Sequence, residues 1–455
     1  MMRFILFVSM IFITIISFLL PKVLGVFSFS IYLLIINFFI SFFIVNMNNL
    51  NTNLINMQSI FLFGFLVFFL GRFVAFLLDS SLYDKLFCTE FIFSYCSSSS
   101  DINFLIFLLN LILVAFSMAF LSKVNISRDV NDLDEGDIFI SKNKICLIYI
   151  LFFFSLGISF YHSLESIALT ISGGYMALYA NQAESYETPF VMLLGVLASC
   201  SLALLYSLRK SLNNKIFGVA VGLYILNLLF GIITGSRASF ISGLILLTWM
   251  IFRNSRIKKI FYIGGIGICT LILSTVNWLA SLSGARTFGE SSNLLEIVSE
   301  TIYSQGITLM VFNSSIHTEG FSILGAIKTI IPGIQAIFPL FGINQRYEFD
   351  WSSYMTFTEN KNAYQDGFGL GWSIYSDFYI FSLGFLPLFY LFIYLFGRLI
   401  VTLSKSSGYY NEGVIFIFVL TLFSINRGQL SPLIFSVIVY SLLCLFVGTI
   451  KVRRL

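Results

Sequence analysis

The sequence predicts an all-α polytopic integral membrane protein, with about twelve transmembrane helices and one long helical loop between the ninth and the tenth. Three observations carry that prediction. Hydrophobic residues make up 58% of the 455 and charged residues only 11%, where soluble domains carry about 25% charged residues. The apolar runs approach the roughly 20 residues that a helix needs to cross a hydrocarbon core. They also lack the period-two alternation of barrel strands.

The runs lie at 4–20, 26–45, 59–78, 102–121, 145–161, 189–206, 216–234, 238–252, 260–278, 377–399, 413–424 and 433–449. The first follows Arg3 and has no small-residue cleavage site behind it, so it reads as an uncleaved span. Lysine and arginine set the orientation. With both termini in the cytoplasm, the inner side holds 17 of the 26 basic residues and the outer side 16 of the 22 carboxylates. The net charge of +4 therefore conceals two oppositely charged faces, and the basic one reflects topology rather than nucleic-acid binding. Cys88 and Cys96 share an outer loop, where a periplasm-like compartment permits either a disulfide or two free thiols.

A single membrane domain follows, divided into helices 1–278, a large outer loop 279–376 and helices 377–455. A loop of that length is either functional or disordered, and its pattern favours order. In "SSNLLEIVSETIY", Asn293 offers a helix cap, and Leu294, Leu295, Val298 and Ile302 fall on one helical face. "FSILGAIKTIIPGIQAIFPLFG" is apolar but broken by Pro332, Gly333 and Pro339, which suits an interfacial or re-entrant segment rather than a span. The aromatic stretch that follows suits either an interfacial belt or a carbohydrate surface.

Five arginines gather toward the outer side. Arg237 sits at a tight turn within almost twenty uncharged residues, Arg286 lies in "SGARTFGE", Arg346 in "NQRYEF", Arg427 in "SINRGQLSP", and Arg72 in the outer third of its span. An arginine at mid-span costs about 2.5 to 3.5 kcal/mol on insertion scales, so embedded cations usually face a cavity or an anion. Guanidinium forks match phosphate oxygens, and together these residues imply a phosphate or diphosphate ligand at the outer leaflet. Snorkelling to headgroups is the alternative reading of each one alone. Asp377, at the start of the tenth apolar helix, is the candidate general base, with Glu296, Glu300, Asp366 and His317 behind it.

Other patterns carry less. Asp132 and Asp134 have the spacing of metal-assisted sugar transfer but fall in an inner loop with no domain around them, and the two histidines lack a metal-ligand spacing. No metal or cofactor is expected. "GFGLG" has no strand before it, so Gly369 and its neighbours read as a close backbone approach at the mouth of the tenth span rather than a dinucleotide fingerprint. Gly369 and Tyr375 are candidate substrate contacts.

The order and spacing of "ITGSRASFI", "IIPGIQAIFPLFG", "GFGLGWSIYSDFYIFSLGF" and "SINRGQLSP", spread over nearly the whole chain, resemble the Wzy-type polysaccharide polymerases of bacterial inner membranes. The resemblance implies a metal-independent glycosyltransferase that joins undecaprenyl-diphosphate-linked oligosaccharide repeats at the periplasmic face, with arginines of the outer loops essential. It also implies a chain-length regulator as a candidate partner. The related O-antigen ligases usually carry a histidine near where "GFGLGW" stands here, and its absence favours polymerase over ligase. A flippase or transporter is the rival of a different class; the absence of an internal repeat counts against it.

Overall fold

The computed structural model describes residues 2–24, 28–47, 54–89, 95–121, 141–173, 189–233, 237–253 and 294–448. Six of its helices are long and apolar enough to cross a membrane, and a bent pair, Met57–Phe68 and Gly71–Leu78, meets at 63° as a seventh candidate. Four shorter apolar helices, Leu193–Ser207, Ala238–Phe252, Tyr409–Leu422 and Ser431–Val447, stand where the sixth, eighth, eleventh and twelfth spans are expected. The chain is a multi-pass membrane protein. The expected ninth span, 260–278, lies outside the described residues.

Lipid is as apolar as leucine, so helices in a membrane are held by close packing and buried hydrogen bonds rather than by hydrophobic contrast. Asn37 of Ser28–Asn46 donates to Asn110 Oδ1 of Ser99–Leu121 at 2.6 Å, and Asn110 donates on to Ser17 Oγ of Met2–Leu24 at 3.1 Å. Three spans are thereby tied together. A second knot joins Pro189–Ser207, Arg237–Phe252 and Tyr409–Leu422: Arg253 reaches both oxygens of Glu412 at 2.7 and 3.0 Å, and Arg209 adds a bond at 3.2 Å.

The expected third span is not straight. Its second half turns away at Gly71, where a Cβ would meet the Ile302 carbonyl oxygen at 2.9 Å, so the bend seats Leu294–Gln305 against it. Arg72 then lies buried, donating to the carbonyls of Leu86 at 2.8 Å and Cys88 at 2.7 Å, with its guanidinium 4.6 Å from the Tyr303 ring. Cys88 and Cys96, left open by the sequence, are joined as a disulfide across a two-residue antiparallel ladder in which they face each other, the one strand pairing among the described residues.

The described part of the large loop is helical, as its pattern suggests. It runs through Leu294–Gln305, Thr308–His317, Ile323–Ile330, Arg346–Phe349, Trp351–Glu359 and Lys361–Gln365. The expected helix in "SSNLLEIVSETIY" is the first of these, although Asn293 lies outside the described residues. The broken apolar segment forms one short helix and two 3-10 turns, leaving Ile323, Leu340 and Phe341 exposed. That exposure fits an interfacial rather than a spanning segment.

The tenth span requires a correction. Rather than one helix from 377, the chain forms Ile374–Phe381, breaks at Leu383 (φ 52) and Gly384 (φ 73), and restarts as Leu386–Lys405. Two consecutive left-handed residues cannot continue a right-handed helix. Asp377 therefore belongs to the cap and not to the span.

Two of the spans pack closely at Gly64, where a Cβ would fall 2.5 Å from the Phe423 carbonyl oxygen. A helical Gly→Ala change ordinarily gains about 1 kcal/mol. Here overpacking reverses the sign, and Gly64→Ala is expected to cost about 1 to 3 kcal/mol, read as a lower thermal midpoint of the purified protein.

Candidate functional site

The short connection 424–431 is bonded almost residue by residue to elements far away in sequence. Its first half is the 3-10 turn Ser424–Arg427, and its end is the start of Ser431–Val447. Asn426 donates to the Phe61 carbonyl at 3.2 Å and accepts the Tyr375 hydroxyl at 3.0 Å. Arg427 donates to Gln305 Oε1 at 3.3 Å. Gln429 donates to Asp350 at 3.2 Å, the Leu430 N–H donates to Asp377 Oδ2 at 2.7 Å, and Ser431 donates to the Lys328 carbonyl at 3.3 Å. The turn is the seam between the outer-loop cap and the spans.

Two buried carboxylates line that seam. Asp350 caps Trp351–Glu359 by accepting the Ser353 N–H at 3.0 Å, and it pairs with Lys328, which also donates to Gln429 Oε1 at 3.1 Å. Burial by itself would raise the Asp350 carboxyl; Lys328 and, more remotely, Arg346 hold it well below the usual carboxylate range. It is a fixed anion. Asp377 is 1% exposed and accepts the Trp372 indole N–H at 2.7 Å on Oδ1 while Oδ2 holds Leu430. Burial pushes its carboxyl up to about 7, against the pull of these two N–H bonds and of Lys328, with Asp350 adding to the rise.

The candidate residues divide on this frame. Arg427 and Arg346 are exposed, the first on the turn itself and the second within electrostatic reach of Asp350. Arg237 begins the helix Arg237–Phe252; its side chain lies outside the described residues, as does all of Arg286. The helix position still locates Arg237. Arg253, just beyond one end of that helix, pairs with Glu412 near the start of Tyr409–Leu422, and the 14 residues of Tyr409–Leu422 carry the chain about 21 Å to the turn Ser424–Arg427. The helix Arg237–Phe252 also packs on that turn. The end that meets it is therefore the Arg237 end.

Four expectations change. Arg72 gives its charge to backbone carbonyls in a buried pocket and holds the 85–88 loop, so no face of it is turned to a ligand. Tyr375 is fully buried among Phe65, Phe69 and Phe312 at ring distances of 5.8, 5.0 and 6.3 Å, a core residue rather than a surface contact. Asp377 is closed off from solvent with both oxygens occupied, a poor placement for a base. Gly369 is exposed, and nothing lies within 4 Å of a Cβ built there, so the expected close approach is not found at it; its neighbours Gly367 and Gly371 take left-handed backbone, with φ 85 and 86. Among the weaker candidates, Glu300 and Asp366 are exposed, and His317 lies 3.7 Å from Asp101. The Glu296 side chain lies outside the described residues. Among the described residues no group of three His, Cys, Asp or Glu residues is placed to hold a metal.

Lys328, Asp350, Asn426 and Gln429 were not singled out from the sequence. Lys328 carried the same signal as Arg237, a lone cation in an apolar run, and "DWSS" is a helix-cap pattern.

The fold is that of a multi-pass membrane protein with a helical cap seated on its spans. The chain belongs to the family described as O-antigen polysaccharide polymerase Wzy, whose model matches residues 1–455. It is a polysaccharide polymerase, an enzyme of a family that acts on lipid-linked oligosaccharides in a membrane. No curated protein and no solved structure matches the chain.

Because Asp377 binds its proton more tightly folded than unfolded, the folded state holds more protons between the unfolded value of 3.8 and about 7. Stability conferred by that proton is lost as pH rises through this window. Thermal midpoints measured across pH 5 to 8 should fall for the wild type relative to Asp377→Asn, and parallel curves would contradict the assignment.

Proposed function

We propose that the chain joins undecaprenyl-diphosphate-linked oligosaccharide repeat units at the periplasmic face of the bacterial inner membrane, with both termini in the cytoplasm. The lysine and arginine distribution puts the 294–385 cap on the periplasmic side. The observation that carries the site assignment is the packing of the Ser424–Arg427 turn on the Arg237 end of its helix. Arg427 lies on a turn that packs against the helix that Arg237 begins.

The donor diphosphate is held by Arg237 and Arg427, with Arg286 from the same outer loop as a third cation. Arg346 and the open backbone at Gly369 are assigned to the glycan side. Exposed Ile323, Leu340 and Phe341 rest on the outer leaflet, from which the lipid chain enters. A chain-length regulator is assigned as partner on family membership alone.

In the reaction a sugar hydroxyl of the second lipid-linked glycan forms the new bond to the anomeric carbon, and the bond from that carbon to the diphosphate oxygen breaks. The electron pair leaves with the diphosphate and the hydroxyl proton passes to solvent. Diphosphate needs no general acid to depart. Guanidinium groups aimed at its growing charge lower the barrier, and one such donor is typically worth about 10²- to 10³-fold in rate. Arginine suits the task because it is always charged and binds two oxygens at once.

The test uses purified protein in nanodiscs, supplied with a native undecaprenyl-diphosphate-linked repeat and no other protein, with products resolved as a glycan ladder. Arg237→Ala and Arg427→Ala should each slow the ladder by about 10²- to 10³-fold while the protein stays folded. Lysine at either position should recover only part of the rate. An unchanged ladder in both alanine variants removes the arginines from the site; no ladder from the wild type, with transbilayer movement of the lipid in liposomes, makes the protein a transporter.

A further inference from the structure

We propose that Asp377 is a positioning residue for Arg427, acting through the backbone of the 427–431 turn and not on the sugar hydroxyl. The inference rests on the reading of Arg427 as a diphosphate ligand. Asp377 sits on Ile374–Phe381, a helix whose start is fixed by Ser373 accepting the Ser376 N–H at 3.0 Å. From there its Oδ2 takes the Leu430 N–H at 2.7 Å, three residues beyond Arg427 and immediately before Ser431–Val447. Asn426 and Gln429 are tied through their side chains, whereas Asp377 grips the main chain itself. A carboxylate ahead of a helix N-terminus also meets the positive end of the helix dipole.

The same geometry argues against proton transfer. A base must reach the hydroxyl, yet Asp377 is 1% exposed and its Oδ1 is occupied by the Trp372 indole N–H at 2.7 Å. Each oxygen is already held by one N–H donor, Trp372 on Oδ1 and Leu430 on Oδ2, so the carboxylate is anchored on both sides. The charged groups within electrostatic reach are Lys328 on Ile323–Ile330 and Asp350 ahead of Trp351–Glu359. Both are engaged with Gln429 on the same turn.

Asparagine at 377 offers one acceptor and one NH2 group, so it sets donor against donor at either Leu430 or Trp372. Removing the indole N–H relieves that conflict. Full-length protein in nanodiscs is titrated with undecaprenyl diphosphate, and the ladder rate is measured alongside. Asp377→Asn should weaken binding by about tenfold, the equivalent of one lost hydrogen bond to a charged group, and raise KM for the donor more than it lowers kcat. Trp372→Phe combined with Asp377→Asn should return binding and ladder rate to within a few-fold of wild type. That double variant decides the question even where the single one does not yield monodisperse protein. Normal binding with a dead ladder in the double variant makes Asp377 the base and overturns the proposal. Loss of binding in Arg427→Ala without loss in Asp377→Asn overturns it while leaving the Arg427 reading intact; undiminished binding in Arg427→Ala removes both.

Discussion

A single hydrogen bond, from the Leu430 N–H to Asp377, marks the constraint on which the membrane-cap seam depends: a turn too short to hold its own shape must be shaped by its neighbours. Between Asn426 and Ser431 the chain draws on Phe61 in the bundle, and on Gln305, Lys328, Asp350, Tyr375 and Asp377 in the cap. Apart from the bond to Phe61, each of these joins the turn to the cap. Cap and spans are thus registered to each other at the place where Arg427 is displayed.

The same principle separates buried or half-buried cations from exposed ones. Arg72, Arg209 and Arg253 each end on acceptors that the fold supplies: carbonyls for the first, and Glu412 for the other two. Lys328 ends on Asp350 and Gln429. Removing one partner from so buried a pair typically costs about 3 to 5 kcal/mol, which explains why such charges are built in pairs. Arg346 and Arg427 are exposed at the cap and its seam. Charge within the fold is matched to architecture, and Arg427, though bonded to Gln305, keeps an exposed side chain.

Much of this was legible in the sequence, and the limits have physical causes. Apolar length marked the spans, and the cap pattern of "SSNLLEIVSETIY" marked the first loop helix, because both are local properties of the chain. The tenth span was set too early because hydropathy does not see backbone conformation, and Leu383 with Gly384 breaks an otherwise apolar run. Arg72 and Tyr375 looked like site residues for a related reason: their hydrogen-bond partners lie 14 and 51 residues away and their ring partners farther still, and burial against a distant carbonyl or ring leaves no mark in the local pattern. Arg427 drew notice as a lone cation in a short loop. Lys328 had that signal too, but only the fold shows that it meets Asp350.

The most direct measurement of the central claim is a cryo-electron microscopy map of the protein in a lipid nanodisc with undecaprenyl diphosphate bound. The account requires diphosphate density at the seam, within hydrogen-bond distance of the guanidinium groups of Arg427 and Arg237. Density at another place on the molecule, with both arginines turned to lipid headgroups, would contradict it.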